Sequence, residues 1–310
     1  GVAMAQESSP AAEGPALFPA GCSVIAEGLN QPRYLTVAAD GTVYVTEAGD
    51  GGDEVLSAPV SPDAGTPAVG EGEGDEGPPI TRGTSGQVTA IAPDGTKTVV
   101  ASGLPSYGGV GPVGIVENDG MLTISVGGAA VDTGTMLGTE IAELPYENSI
   151  VLIDPSSGNI APIAQLSHFE VEQNPDGTDV NPNLYQLAVG PDGMLYVTDA
   201  GGNSIYKVDP ASGEAALVTV IPPLSVLMGG TPGADPATDR QPVPVGIGFD
   251  AAGAMYVSLL SEGWPGPNIL RVEADGSVTP VASGLGMMFG FANAPVATQP
   301  PLASIAAGYD

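Results

Sequence analysis

The strongest constraint on this chain is a unit it repeats: an apolar run, a two-residue turn ending in Gly, and a second apolar run. The clearest copies are residues 34–48 (YLTVAADGTVYVTEA), 185–200 (YQLAVGPDGMLYVTDA) and 245–259 (VGIGFDAAGAMYVSL), with 113–127 (VGIVENDGMLTISVG) as a looser one. Each is followed by a partner hairpin, at 87–103 around Asp94-Gly95, 149–165 around Ser157-Gly158, 204–220 around Ser212-Gly213 and 269–284 around Asp275-Gly276. Two hairpins in succession give four antiparallel strands, the content of one propeller blade. The 46 Gly and 31 Pro fit many short strands and turns, and no long helical periodicity competes with this reading.

The ends of the chain suggest how the ring closes. An outer-strand signature recurs at 98–104 (TVVASGL) and 279–285 (TPVASGL), and it already stands at 23–29 (SVIAEGL), ahead of the first full blade. That early strand needs inner partners from elsewhere. The C-terminal stretches 288–292 (MFGFA) and 302–307 (LASIAA) can supply them. The expected fold is therefore an all-β propeller over residues 22–310 with five blades, four complete and one composed from both termini, and a six-bladed arrangement is the runner-up. Pro295, Pro300 and Pro301 each remove a ladder donor, so the closing blade is expected to be imperfectly paired and open to a strand from another molecule.

Residues 1–21 (GVAMAQESSPAAEGPALFPAG) read as an extended arm, whose apolar Ala16, Leu17 and Phe18 make it a candidate strand donor. Ala3-Met4-Ala5 followed by Gln6 resembles the end of a secretory signal, and the protein is expected to be exported to the cell surface or medium. Six basic residues face 36 acidic ones, for a formal charge of −30, which repels phosphate backbones and excludes nucleic acid as a partner. No apolar run is long enough to span a membrane. The single cysteine, Cys22, rules out an internal disulfide and leaves a buried thiol, an intermolecular bond in the assembly or a lipid attachment.

The segments 28–49, 86–104, 185–210 and 269–285, with their GLNQPRYL, VYVTEAG, APDGTKTVVASGL and MLYVTDAGGNSIYKVD motifs, resemble the ScyD/ScyE-type family of the scytonemin biosynthesis cluster. That family is a group of exported propellers related in pattern to NHL repeats. The resemblance spans about residues 22–291 and implies the fold and export. Family members are usually six-bladed, whereas the fifth inner-strand signature is the last in this chain.

Residue types suited to catalysis are sparse. Glu47 and Asp199 stand at matching points of VTEAG and VTDAG, where they could be funnel carboxylates that hold a metal, as in lactone-hydrolysing propellers, or carboxylates that bond loop amides. Asn174, Asp176 and Asp179 in NPDGTD, and Asp50 and Asp53, space oxygen ligands as fragments of calcium loops do, but without the terminal bidentate acid, so each is either a turn or an ion site. His168 has no nucleophile-elbow sequence to serve, and nothing basic near Cys22 would depress its pKa. Tyr107 and Trp264 could offer stacking platforms beside the loops.

The long insertions, 50–86 (with the acidic tract EGEGDEGPP at 71–79), 127–148, 168–182 and 221–242, are where recognition is expected. Together these features predict a secreted, self-associating scaffold or surface protein, a homo-oligomer or polymer joined through the arm (Ala16, Leu17, Phe18, Cys22) and the open closing blade. The rival reading is a calcium-dependent, lactonase-like hydrolase or small-molecule binder that uses the funnel.

Overall fold

Local chemistry sets the turns first. Asp40, Asp94 and Asp275 each turn a side-chain oxygen onto the amide two residues on, Thr42, Thr96 and Ser277, at 2.9 Å in each case. The glycines after them, Gly41, Gly95 and Gly276, take φ values of 86°, 85° and 82°. An Asx turn followed by a left-handed residue reverses the chain, so the flanking β-branched runs can pair. The computed structural model describes residues 24–55, 81–107, 109–128, 143–178, 180–230, 240–260 and 266–285, and the backbone of 288–291 and 305–307.

Blade one is built from β1 (Pro32–Val37), β2 (Val43–Glu47), β4 (Thr81–Ile91) and β5 (Lys97–Ser106), with the short β3 (Glu54–Val55) lengthening the sheet along β4. Blade two is β6 (Pro112–Asn118), β7 (Met121–Val126), β8 (Ser149–Asp154) and β9 (Asn159–Gln165). The helix α1 (Ser167–Gln173) leads into blade three: β10 (Leu184–Val189), β11 (Leu195–Asp199), β12 (Ser204–Val208) and β13 (Ala215–Val220). The helix α2 (Leu224–Leu227) precedes blade four: β14 (Pro244–Phe249), β15 (Met255–Leu259), β16 (Pro267–Val272) and β17 (Val278–Ser283). A two-stranded sheet of β18 (Met288–Phe291) and β19 (Ile305–Ala307) follows, with β18 beside β14.

Antiparallel order puts the tight turns at one face and every long insertion at the other. Two insertions read as loops from sequence each open with a helix: His168 lies on α1 rather than trailing from β9, and α2 stands within 221–242.

Apolar layers fill the spaces between successive blades. Val88 and Leu104 of blade one pack against Ile115, Ile124 and Val151 of blade two. Ile150 and Leu166 join Leu187, Val197 and Tyr206 at the next boundary, and Ile205 and Ile221 join Ile247, Val257 and Leu270 at the third.

One further regularity shows how the ring is staged. In every outer strand the ladder slips by one residue at the same place, leaving Val100, Ile163, Val218 and Val281 bulged. A bulge frees a carbonyl from the ladder. The carbonyls of Val100, Ile163 and Val218 press on the turn glycines of the next blade, where a Cβ on Gly158, Gly213 or Gly276 would lie 3.1, 2.2 and 3.0 Å from them. Gly213 admits no side chain on that ground alone.

The carbonyl of Ile25 stands in the same relation to Gly95, at 3.2 Å, and Lys97 Nζ donates to the Glu27 carbonyl. Ile25 aligns with Val100 when SVIAEGL is laid on TVVASGL. The N-terminal segment therefore occupies the outer-strand place of a blade preceding blade one, although residues 24–29 make no ladder of their own. The arm 1–21, with Ala16, Leu17, Phe18 and Cys22, lies outside the described residues, as do Asp179, Trp264, the 71–79 tract and Pro295, Pro300 and Pro301.

The boundary in front of blade one differs from the other three. Leu35, Ile115, Leu187 and Ile247 hold the same register position, opposite Val45, Ile124, Val197 and Val257. The last three are 4%, 0% and 0% exposed, whereas Leu35 is 60% exposed. Val37, two residues on along β1, is exposed as well, as are Val24 and Ile25.

Candidate functional site

The insertion-bearing face holds two buried polar clusters, and the propeller axis runs beneath it. At the axis, Tyr34 of β1 donates its hydroxyl to the Val245 carbonyl of β14 at 3.1 Å and meets Tyr185 of β10 edge-on, with ring centroids 5.9 Å apart at 85°. Arg33 hydrogen-bonds the Tyr185 hydroxyl. Burial pushes both phenols above their ordinary range. Inner strands of blades one, three and four thus touch through aromatic rings where a funnel ligand would sit.

The first cluster lies over blades one and two. Arg82, at the start of β4, donates through Nη2 to Glu147 Oε2 at 3.1 Å and through Nη1 to the more exposed Glu54 at 3.4 Å. Tyr107 donates its hydroxyl to Glu147 Oε1, and the Leu144 amide donates to Oε2 at 2.7 Å. The Arg82 guanidinium lies 5.6 Å from the Tyr107 ring centroid. Burial, then the Glu147 charge, drives the Tyr107 phenol far up.

Beside this cluster, Glu143 accepts from Asn148 Nδ2 at 3.1 Å and Ser167 Oγ at 3.2 Å, and burial raises its pKa. Every oxygen of Glu147 is used in tying the end of insertion 127–148 to blade one. Such a group fixes loops, since both of its oxygens are committed to donors within the fold. Tyr107, read from sequence as a stacking platform, is buried with its ring under Arg82, so no sugar can lie on it.

The second cluster lies where α1 meets blade three. Asp199, at the end of β11, receives the amides of Asn183, Gly201 and Gly202 on Oδ1 at 2.8, 3.2 and 3.0 Å. Glu47, its counterpart at the end of β2, receives the Asn30 amide, the Thr89 hydroxyl and Gln87 Nε2, the last at 2.9 Å. Each carboxylate binds the chain segment entering its own blade, and both are almost wholly buried.

The NPDGTD stretch forms a turn after α1. Asn174, at φ 39°, closes the helix by donating its amide to the Phe169 and Glu170 carbonyls. Asn174 Oδ1 accepts from Gly177, and Asp176 accepts from the Thr178 amide and hydroxyl at 2.9 and 2.8 Å. Asp176 Oδ2 also takes Asn203 Nδ2 at 2.8 Å, which docks the turn on blade three. Asp50 accepts from Asn30 Nδ2 at 3.0 Å and Asp53 is exposed, so the structure does not bring these two to the Asp176 turn. Exposed His168 stacks on Phe169 at 4.4 Å. Among the described residues, no three His, Cys, Asp or Glu side chains converge as a metal centre.

Sequence reading missed Glu170. It sits fully buried on α1 beside Asp199, and neither carboxylate oxygen is hydrogen-bonded. Burial, then the charges of Asp199 and Asp176, raises its pKa to about 8, and burial raises that of Asp199 to about 6. The one sequence signal was an acid three residues into a helix whose adjacent Phe169 is apolar.

No protein-family model and no curated protein sequence matches this chain. Solved structures do. A gluconolactonase from Xanthomonas campestris superposes with a TM-score of 0.50 at 14% identity, covering 86% of this chain and 67% of that one. A streptogramin B lyase gives a TM-score of 0.41 at 15% identity over 79% of this chain, which spans about half (52%) of the lyase. Virginiamycin B lyase from Staphylococcus aureus gives 0.40 at 15% identity, covering 80% and 68%. The gluconolactonase likeness agrees with the sheet order: the molecule is a β-propeller. No described helix is long and apolar enough to cross a membrane.

Proposed function

We propose that this is an exported propeller of the ScyD/ScyE type that serves as a scaffold and joins copies of itself through the seam in front of blade one. The observation that carries this reading is Leu35, exposed at a register position that is closed in blades two, three and four. Full burial of a Leu or Val side chain contributes about 1.5 to 3 kcal/mol, so a strand of a second copy laid over Leu35 and Val37 has a substantial driving force. The patch on one molecule and the strand that covers it on the next are different surfaces, so the contact is head-to-tail and propagates as a filament or tube. A charge of −30 opposes this contact, and salt screens the opposition. The axial Tyr34–Tyr185 contact and the buried Glu147, held by Arg82, Tyr107 and the Leu144 amide, weigh against a funnel hydrolase.

Sedimentation and light scattering of the full chain across protein and salt concentration test the reading. Polymers that grow with ionic strength are expected, and Leu35→Glu should weaken association at least about tenfold while the monomer stays folded, because the site is already wet. Removal of residues 1–21 should have a similar effect if the arm is the donor strand. A monodisperse monomer under all conditions would overturn the proposal. Metal-dependent turnover of a lactone panel by that monomer would put a hydrolase in its place.

A further inference from the structure

A buried carboxylate without a partner is among the least favourable groups a fold can hold, and this molecule sets one, Glu170, beside Asp199, of which one oxygen is bonded and the other is not. Glu170 is 0% exposed with both Oε atoms unbonded, and Asp199, also 0% exposed, spends Oδ1 on three amides while Oδ2 has no partner. Both free ends point at one spot. A Cβ on Gly202 would stand 2.3 Å from Glu170 Oε1 and 3.3 Å from Asp199 Oδ2, so only glycine leaves that space open. The Tyr206 hydroxyl, fully buried beside them, makes no hydrogen bond of normal geometry but is close enough to Glu170 to oppose the rise in its pKa, and its ring stacks on Phe169 at 4.7 Å. Asp176, the third acid nearby, is held by Thr178 and Asn203, and its charge acts on both members of the pair.

We propose that Glu170 and Asp199 bind a divalent cation, calcium by the chemistry of the donors, at the junction of α1 with blade three. The free donors are all hard oxygens with neither imidazole nor thiolate among them, which suits calcium and not zinc. A proton would satisfy one oxygen of the pair, whereas a cation satisfies several at once and neutralises like charges that otherwise repel. The Tyr206 hydroxyl beside the pair is a further oxygen within reach of such an ion. Affinity is then expected in the range of about 10⁻⁵ to 10⁻³ M, as for sites of low ligand charge outside cells. The ion's role is to pin α1 and the Asn174–Thr178 turn onto blade three, off the propeller axis, so it is independent of self-association at the seam.

Terbium is a luminescent stand-in for calcium, and Tyr206 is placed to sensitise it. The EDTA-treated full chain, titrated with terbium and excited through tyrosine, should give a saturable signal that calcium displaces, and calcium alone should raise the melting temperature. Glu170→Gln, which keeps shape and removes charge, should weaken the calcium-competed signal at least about tenfold and abolish the thermal shift. Asp199→Asn should do likewise; because Oδ1 also anchors three amides, Glu170→Gln is the deciding variant. The proposal fails if Glu170→Gln keeps the wild-type titration, which would place terbium on the acidic surface. It also fails if the wild-type chain shows neither a saturable signal nor a calcium-dependent melting shift, which would leave Glu170 as a buried, protonated acid.

Discussion

The boundary between blades two and three and the boundary in front of blade one are written in nearly the same residues, yet one is sealed and the other open. Leu187 and Leu35 are the same amino acid at the same register position, each two residues before a β-branched valine on the inner strand. Leu187 disappears beneath Ile150, Ala164 and Leu166, while Leu35 faces solvent. The alternation of a strand records which side was selected to be covered, and the neighbouring blade decides whether it is. Since blade one carries an apolar pattern for a cover that the described residues do not supply, its seam calls for an occupant.

The sharpest test of that contrast is to cut the same side chain at both places. Leu187→Ala should cost about 2 to 5 kcal/mol, read from the denaturant midpoint at constant m, because it opens a cavity in a sealed layer. A cost under about 1 kcal/mol would mean that this boundary is loosely packed, and the contrast would collapse from the closed side.

Most of the fold was legible because its rules are local. The Asp-Gly and Ser-Gly turns, the β-branched alternation and the recurrence of TVVASGL specify hairpins without reference to the rest of the molecule. Even the place of Ile25 could be read from SVIAEGL, because the bulge that the motif encodes repeats in every blade.

The polar clusters were not legible. Arg82, Tyr107 and Glu147 are scattered along the chain and meet only after residues 143–148 dock on blade one. Glu170 gains its character from α1 folding back onto Gly202 and Asp199. Burial and neighbouring charge are properties of that docking, and no local pattern announces them. Asp199 and Asp176, read from sequence as two separate candidates, turn out to act on one another.

Acid-base behaviour separates the two boundaries next. Glu170 and Asp199 titrate higher folded than their ordinary carboxylate range, so the folded state holds their protons more tightly than the unfolded chain does. Their contribution is therefore most favourable below the unfolded values, near pH 4, and is lost as pH rises toward about 8. Turn acids such as Asp94 and Asp275 are held low by turn hydroxyls and amides and act in the opposite sense, losing stability as pH falls below about 4. The metal-free protein should be more stable to unfolding at pH 5 than at pH 8, by an amount on the order of a few kcal/mol, and Glu170→Gln should flatten that slope. An unchanged slope in the variant would remove Glu170 from the account. Leu35→Glu adds a wet carboxylate and should leave the slope alone.

The smallest expected effect tests the open side. Leu35→Ala removes the same atoms as Leu187→Ala but from a surface already in water, so in dilute solution it should change stability by less than about 0.5 kcal/mol. At concentrations where copies associate, the same substitution should cost more, because the side chain is then covered in the wild-type protein and stability becomes coupled to assembly. The decisive measurement is the concentration dependence of the Leu35→Ala effect beside the concentration-independent effect of Leu187→Ala. If Leu35→Ala costs as much as Leu187→Ala at the lowest concentration, the seam is closed within a single chain, no second copy is needed to cover it, and the scaffold reading loses the observation on which it stands.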